Sequence, residues 1–249
     1  MRTVYFDIDD KTDELRGEIL KNRTKAQTFF ERFEVSWIYH ENAMEGLVLD
    51  LFDLKAALDH ATLEDGVLIP TYQRIRNIKN AIDKVKKVVA SNRTPNLQFL
   101  KGLHVILSNG IAGQSGGAYR REIPIHRNYF HDIIQPTRIS PAMSNFLRQL
   151  QSKEFKQLHP FRQAAEAHYQ LMAIFPFDED NGKVARLLMN FYTMRNNYFP
   201  VILPDVERQR YYESLRSGSE VLHSLIIECM ERELELALKF FTEGGKGVF

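Results

Sequence analysis

A mainly α fold is predicted by three features of this sequence. Apolar residues recur at three- and four-residue steps through most of the chain, the period of a helix with one buried face. Several periodic segments open on helix-start signals, at Pro70-Thr71, Thr94-Pro95 and Ser140-Pro141. Between Gly110 and Pro141 the period lapses, and two short extended runs flank a turn, so a small β-hairpin is the expected exception.

The elements follow in chain order. Residues 24–42 form an amphipathic helix, with Ala26, Phe29, Phe30, Phe33, Trp37 and Ile38 along one stripe. Asp50 caps a short helix reaching about residue 60. The helix opened at Pro70 carries Ile75, Ile78, Ala81, Ile82 and Val85 on its apolar face. That opened at Thr94-Pro95 carries Leu97, Leu100, Leu103 and Leu107 and ends at Asn109-Gly110. Further helices are expected over about 141–152, 160–174, 182–197, 205–217 and 220–243, the last with a core face of Leu222, Leu225, Ile226, Met230, Leu234 and Leu238. In the interrupted segment, residues 119–125 and 129–134 read as the two hairpin runs. Pro124 marks an edge, and a lone hairpin must pack on the helices to persist. No repeat, low-complexity tract or linker divides the chain, so one domain over 1–249 is expected.

Composition excludes several classes. With 33 Lys and Arg against 32 Asp and Glu the formal charge is +1, which argues against general nucleic-acid binding. At 44% hydrophobic residues, with 17 Phe and 10 Tyr, the chain can build a core rather than stay disordered. The single cysteine, Cys229, cannot close an internal disulfide or make an all-cysteine zinc site, which fits a reducing compartment. No apolar run approaches the ~18–20 residues that span a bilayer, and the acidic first ten residues lack a signal-peptide core. A cytoplasmic protein with no membrane and no nucleic-acid partner is therefore expected.

The chemistry concentrates in Phe175-Pro176-Phe177-Asp178-Glu179-Asp180-Asn181-Gly182-Lys183-Val184-Ala185-Arg186. This is the end of one helix, a proline-interrupted loop and the start of another. A helix N-terminus presents unpaired N–H groups and partial positive charge, which suit an anion. Asn181 can cap, Gly182 lets backbone approach a ligand, and Lys183 and Arg186 add charge one turn apart. Glu179 can hold a divalent cation alongside phosphates. The same residues would also make an ordinary acidic loop ahead of a helix. A calcium loop fails on spacing, because the terminal bidentate position would fall on Met189.

This segment resembles the Fic (Fido-fold) signature, His-Pro-Phe-x-(Asp/Glu)-Gly-Asn-Gly-Arg-x-x-Arg. Leu158-His159-Pro160 with His168 resembles the helix before that motif, Gly117-Ala118-Tyr119-Arg120 the passage into the family's flap, and Tyr211-Tyr212 the helix after it. The resemblance runs from about Trp37 to Phe240. It implies the Fic helical fold with its small β-hairpin flap, with an N-terminal helix over 24–48, a flap region over 110–140 and core motif helices over 160–197. It also implies ATP with magnesium as cosubstrate and transfer of AMP to a protein hydroxyl. Asn181, Gly182, Lys183 and Arg186 then fall on nucleotide-binding positions and Glu179 on the metal-binding one.

The departures bear directly on activity. The family's catalytic histidine, the general base of AMP transfer, falls on Phe175, which has no titratable group. Losing such a base removes ~10²–10⁴-fold of rate. Asp180 replaces the glycine of the anion loop, and Lys183 replaces an arginine, keeping charge but losing the planar fork. Of the other histidines, His168 suits a core hydrogen bond, and His159 and His104 suit capping or packing. A degenerate, inactive or very weak relative of the adenylyltransferases is thus the leading expectation. The alternatives are a nucleotidyl or phosphoryl transferase using another base, and a regulatory interaction module without a ligand.

Two further parts follow from the resemblance. Glu41-Asn42-Ala43-Met44-Glu45-Gly46 is similar to the family's inhibitory motif, (Ser/Thr)-x-x-x-Glu-(Gly/Asn), with Glu41 standing at the Ser/Thr position. It implies that Glu45 is inhibitory and pairs with Arg186. A carboxylate at a helix C-terminus opposes the dipole, which independently calls for such a partner. The segment 122–136 is similar to the flap that pairs with an extended protein target, with Ile123, Ile125 and Ile133 as its apolar contacts. A hairpin that merely covers apolar surface fits those residues equally well.

Overall fold

The computed structural model describes residues 3–59, 69–91, 93–124 and 131–243, with side chains from residue 5. The helices are α1 (Thr3–Lys21), α2 (Arg23–Ala43), α3 (Leu51–Leu58), α4 (Ile69–Ala90), α5 (Leu97–Leu107), α6 (Ile139–Leu150), α7 (Lys153–Lys156), α8 (Pro160–Ile174), α9 (Asn181–Arg195), α10 (Arg208–Ser217) and α11 (Ser219–Thr242). Two short 3₁₀ turns, Pro136–Arg138 and Asp205–Glu207, lead into α6 and α10.

The centre is α9. Every residue from Asn181 to Thr193 is buried, because Val184, Ala185, Leu187, Leu188, Met189 and Phe191 leave no polar face except the few groups of the site. It packs against α8, α4 and α5. The apolar stripe of α11 closes the core against α8, α10 and α1. No helix among the described residues is long and apolar enough to cross a membrane.

Several expected boundaries move. Helix α1 has no counterpart in the sequence reading, although Ile8, Thr12 and Leu15 are buried along one face of it. Helix α5 is capped by Asn96, whose side chain accepts from the Phe99 N–H at 2.8 Å, rather than by Thr94. The hairpin is not seen as such: the described limbs, 119–124 and 131–135, form no strand, and the intervening turn with Ile125 lies outside the described residues. Each limb has a backbone bond to the end of α8 or to the loop that follows it. The Arg120 N–H donates to Pro176 O at 2.9 Å and the Ile134 N–H to Ala173 O at 3.3 Å.

Candidate active site

The turn between α8 and α9 is set by two left-handed residues. Phe175 ends α8 at φ 49°, ψ 64°, and Asp180 precedes α9 at φ 56°. Both are non-glycine residues in a region that disfavours a Cβ, so the surroundings must hold them there. Asn181 supplies one restraint. Its Oδ1 accepts from the Phe177 N–H at 2.9 Å and its Nδ2 donates to Phe177 O at 2.8 Å, closing the loop on itself. It is therefore the loop's internal brace rather than a side-chain cap of α9, because both ends of the amide are committed.

Arg120 supplies the other restraint, one that sequence reasoning missed. Its buried guanidinium donates to Phe175 O at 2.6 Å and Glu122 O at 3.0 Å, and also to Ile134 O. One side chain thus ties both flap limbs to the motif loop. Its partners are main-chain carbonyls, which carry no sequence signal.

Above the loop lies a cavity of about 370 Å³, walled by Glu45, Arg74, Met172, Phe175, residues 178–183, Arg208, Tyr211 and Tyr212. Lys183 Nζ donates to Asp180 Oδ1 at 2.9 Å, and both side chains are buried. The Asp180 carboxylate therefore neutralises the lysine beside the α9 N-terminus. Glu179 is exposed and accepts from the Gln114 amide. No group of three metal-ligating side chains occurs among the described residues. Glu179 is thus a single carboxylate of the kind that holds magnesium only together with phosphate oxygens.

The inhibitory-like segment reaches the same place. The Arg186 guanidinium, 1% exposed, donates to Glu45 Oε1 at 2.8 Å, so the expected pair is present. Glu45 lies directly over Gly182, where any Cβ would strike its carboxylate. Helix α10 clasps the end of α2 through Arg208 Nε, which donates to Met44 O at 2.9 Å. A second carboxylate was not anticipated as a partner: Glu41 Oε2 accepts from Arg186 Nε at 2.7 Å. Burial pulls the Arg186 pKa down, but Glu41 and Glu45 outweigh it and hold the guanidinium charged, well above its ordinary value.

The histidines fall as expected. His168 is fully buried with Nε2 2.9 Å from the Tyr211 hydroxyl, and burial keeps its imidazole neutral. His159 caps α8 and stacks on Tyr5, and His104 stacks on Phe177 at 4.0 Å. Of the flap residues, Ile123 is exposed, whereas Ile133 packs against the core.

The chain matches the Fic/DOC family model over residues 94–193, which hold the flap passage and the whole motif. It is 30% identical over 241 residues to the protein adenylyltransferase Fic of Drosophila erecta and 29% identical over 239 residues to that of Drosophila grimshawi. These matches cover 93% of the chain but 47% and 48% of the relatives, so the chain spans about half their length. The fold is similar to a Fic-domain-containing signaling protein of Bacteroides thetaiotaomicron, at a TM-score of 0.79 and 17% identity over 96% of this chain and 98% of the other. It is also similar to Fic-1 of C. elegans, at 0.84 and 22% over 98% and 73%.

Proposed function

We propose that this chain, as a single Fic-type domain, is a cytoplasmic relative of the protein adenylyltransferases that has lost AMP transfer. The observation that carries the reading is Phe175, which lies in the cavity wall where the family motif has its histidine. A benzene ring can neither accept the proton of an attacking hydroxyl nor be polarised to do so. The loop chemistry points the same way. Asp180 sets a carboxylate at the start of α9 and takes up the charge of Lys183. Glu45 covers Gly182 and takes up part of Arg186.

The cradle is still large enough to admit part of a nucleotide, and ATP with magnesium is the ligand in keeping with the family. Glu179 is then the carboxylate that would hold the cation, which would neutralise phosphate charge; Lys183 and Arg186 would face the phosphates. A protein partner fits the flap, through Ile123 and the limb bearing Ile133. The reading is tested by the revertant Phe175→His, alone and with Asp180→Gly, assayed for self-labelling from α-labelled ATP beside calorimetry with ATP and magnesium. Recovered labelling supports a scaffold that lacks only its base. Absent binding in every variant favours a ligand-free regulatory module.

One observation favours an active enzyme with another base. His131, on the returning flap limb, stands edge-on to Phe175 with ring centroids 6.5 Å apart, while its Nε2 contacts Met172 O at 2.8 Å. Wild-type labelling abolished by His131→Ala would establish that reading in place of the first.

A further inference from the structure

We infer that Glu41 is a second clamp on Arg186, independent of Glu45, so that release of Glu45 alone leaves the arginine held and its charge countered. The inference deepens the reading of the loop as an anion cradle and rests on it.

The two carboxylates differ in kind. Glu45 lies past the end of α2, in the turn closed by Gly46 at φ 90°, and its side chain is 31% exposed toward the cavity. Glu41 lies within α2, one turn earlier, with a side chain 4% exposed. Both oxygens of Glu41 are used: Oε2 accepts from Arg186 Nε at 2.7 Å, and Oε1 accepts from Trp37 Nε1 at 3.3 Å. Its backbone carbonyl adds a longer contact to Arg186 Nη2 at 3.4 Å. Glu45 can swing into the cavity by rotating an exposed side chain. Glu41 can leave only if α2 lifts from α9, because Trp37, Ile38 and Asn42 around it are fully buried.

The guanidinium is therefore divided by edge. Its Nε edge is fixed inward by Glu41. Its outer edge faces the space over Gly182, where Nη2 meets Glu45 and Nη1 has no hydrogen-bond partner among the described residues. An anion that displaced Glu45 would meet a fork aimed correctly, but one whose charge a buried carboxylate 2.7 Å away already offsets. Glu41 is thus a positioning residue: it aims the fork and holds down its pull on an anion.

The test uses the full chain as Glu45→Gly, Glu41→Gln and the double variant, with two readouts. The first is the Arg186 Nε–H resonance in ¹⁵N–¹H NMR, with no ligand present. It is expected to stay slowly exchanging and displaced in Glu45→Gly and to lose both properties in Glu41→Gln. Loss in Glu45→Gly would overturn the inference whatever the cradle binds. The second is calorimetric titration with magnesium and inorganic triphosphate. Glu45→Gly is expected to bind weakly and the double variant about tenfold or more tightly, since one opposing charge is worth at least that factor at a buried site. Equal affinity of the two would overturn the countering role. A retained resonance with no binding in any variant would support the clamp and remove the anion-cradle reading instead. Melting curves identify an unfolded Glu41→Gln, in which case Glu41→Ser, the residue type of the family motif, takes its place in both readouts.

Discussion

Glu45 and Arg186 meet at 2.8 Å directly above Gly182, so the carboxylate of one helix end occupies the space at the start of another. The relationship depends on the missing side chain at 182. A Cβ there would strike the Glu45 carboxylate and lie 2.9 Å from Arg186 Nη1. Gly182→Ala is expected to destabilise the fold by about 1–3 kcal/mol in urea unfolding, the range for overpacking a filled site. In a Glu45→Ala background the same change should cost clearly less. Additive effects would show that the carboxylate does not sit over the glycine.

Removing the arginine should be worse than removing either acid. Arg186→Ala leaves Glu41 buried with only Trp37 as donor, and an unpaired buried charge costs about 3–5 kcal/mol. Arg186→Ala combined with Glu41→Leu is expected to regain much of that loss, measured by chemical denaturation.

Arg120 joins three segments through main-chain carbonyls of Phe175, Glu122 and Ile134. Its replacement by alanine removes the guanidinium donor from all three carbonyls, an expected loss of about 2–4 kcal/mol. Hydrogen exchange should speed up together at 131–135 and 173–177, while α11 stays protected. Unchanged exchange in either segment would contradict a shared tie.

A pH dependence follows from Glu233 on α11, whose carboxyl burial pushes up to about 7 from the ordinary 4.5. An acid with a raised pKa penalises the fold once it must ionise there. The penalty is absent below pH 4.5, grows between 4.5 and 7, and is constant above. This group should make the protein less stable at pH 8 than at pH 5 by up to about 3 kcal/mol. Glu233→Gln should flatten that slope in urea melts at the two pH values.

How much of this was legible in the sequence depended on where each residue's partner lies. The helices from α2 onward, apart from the four-residue α7, showed through because their apolar spacing is local. Helix α1 shows the same spacing at Tyr5, Ile8, Thr12, Leu15 and Ile19, but five acidic residues between positions 7 and 14 drew attention to its charge. The motif loop is contiguous, so Phe175, Asp180, Lys183 and Arg186 could be placed by reading along it. The Glu41 to Arg186 pair spans 145 residues, and only the four-residue step from Glu41 to Glu45 hinted that both acids face the same way. The described flap limbs form no strand, and the Arg120 and Ile134 N–H groups bond to Pro176 O and Ala173 O, tertiary contacts that alternation in sequence does not encode.

The central claim is that Phe175 has removed the base of AMP transfer. It is tested most directly by incubating the wild-type chain, Phe175→His and Phe175→His with Asp180→Gly with α-labelled ATP and magnesium, and measuring label on protein. No label on wild type, and label on a histidine variant, is the predicted result. Label on the wild-type chain that is lost with Glu179→Ala would contradict it.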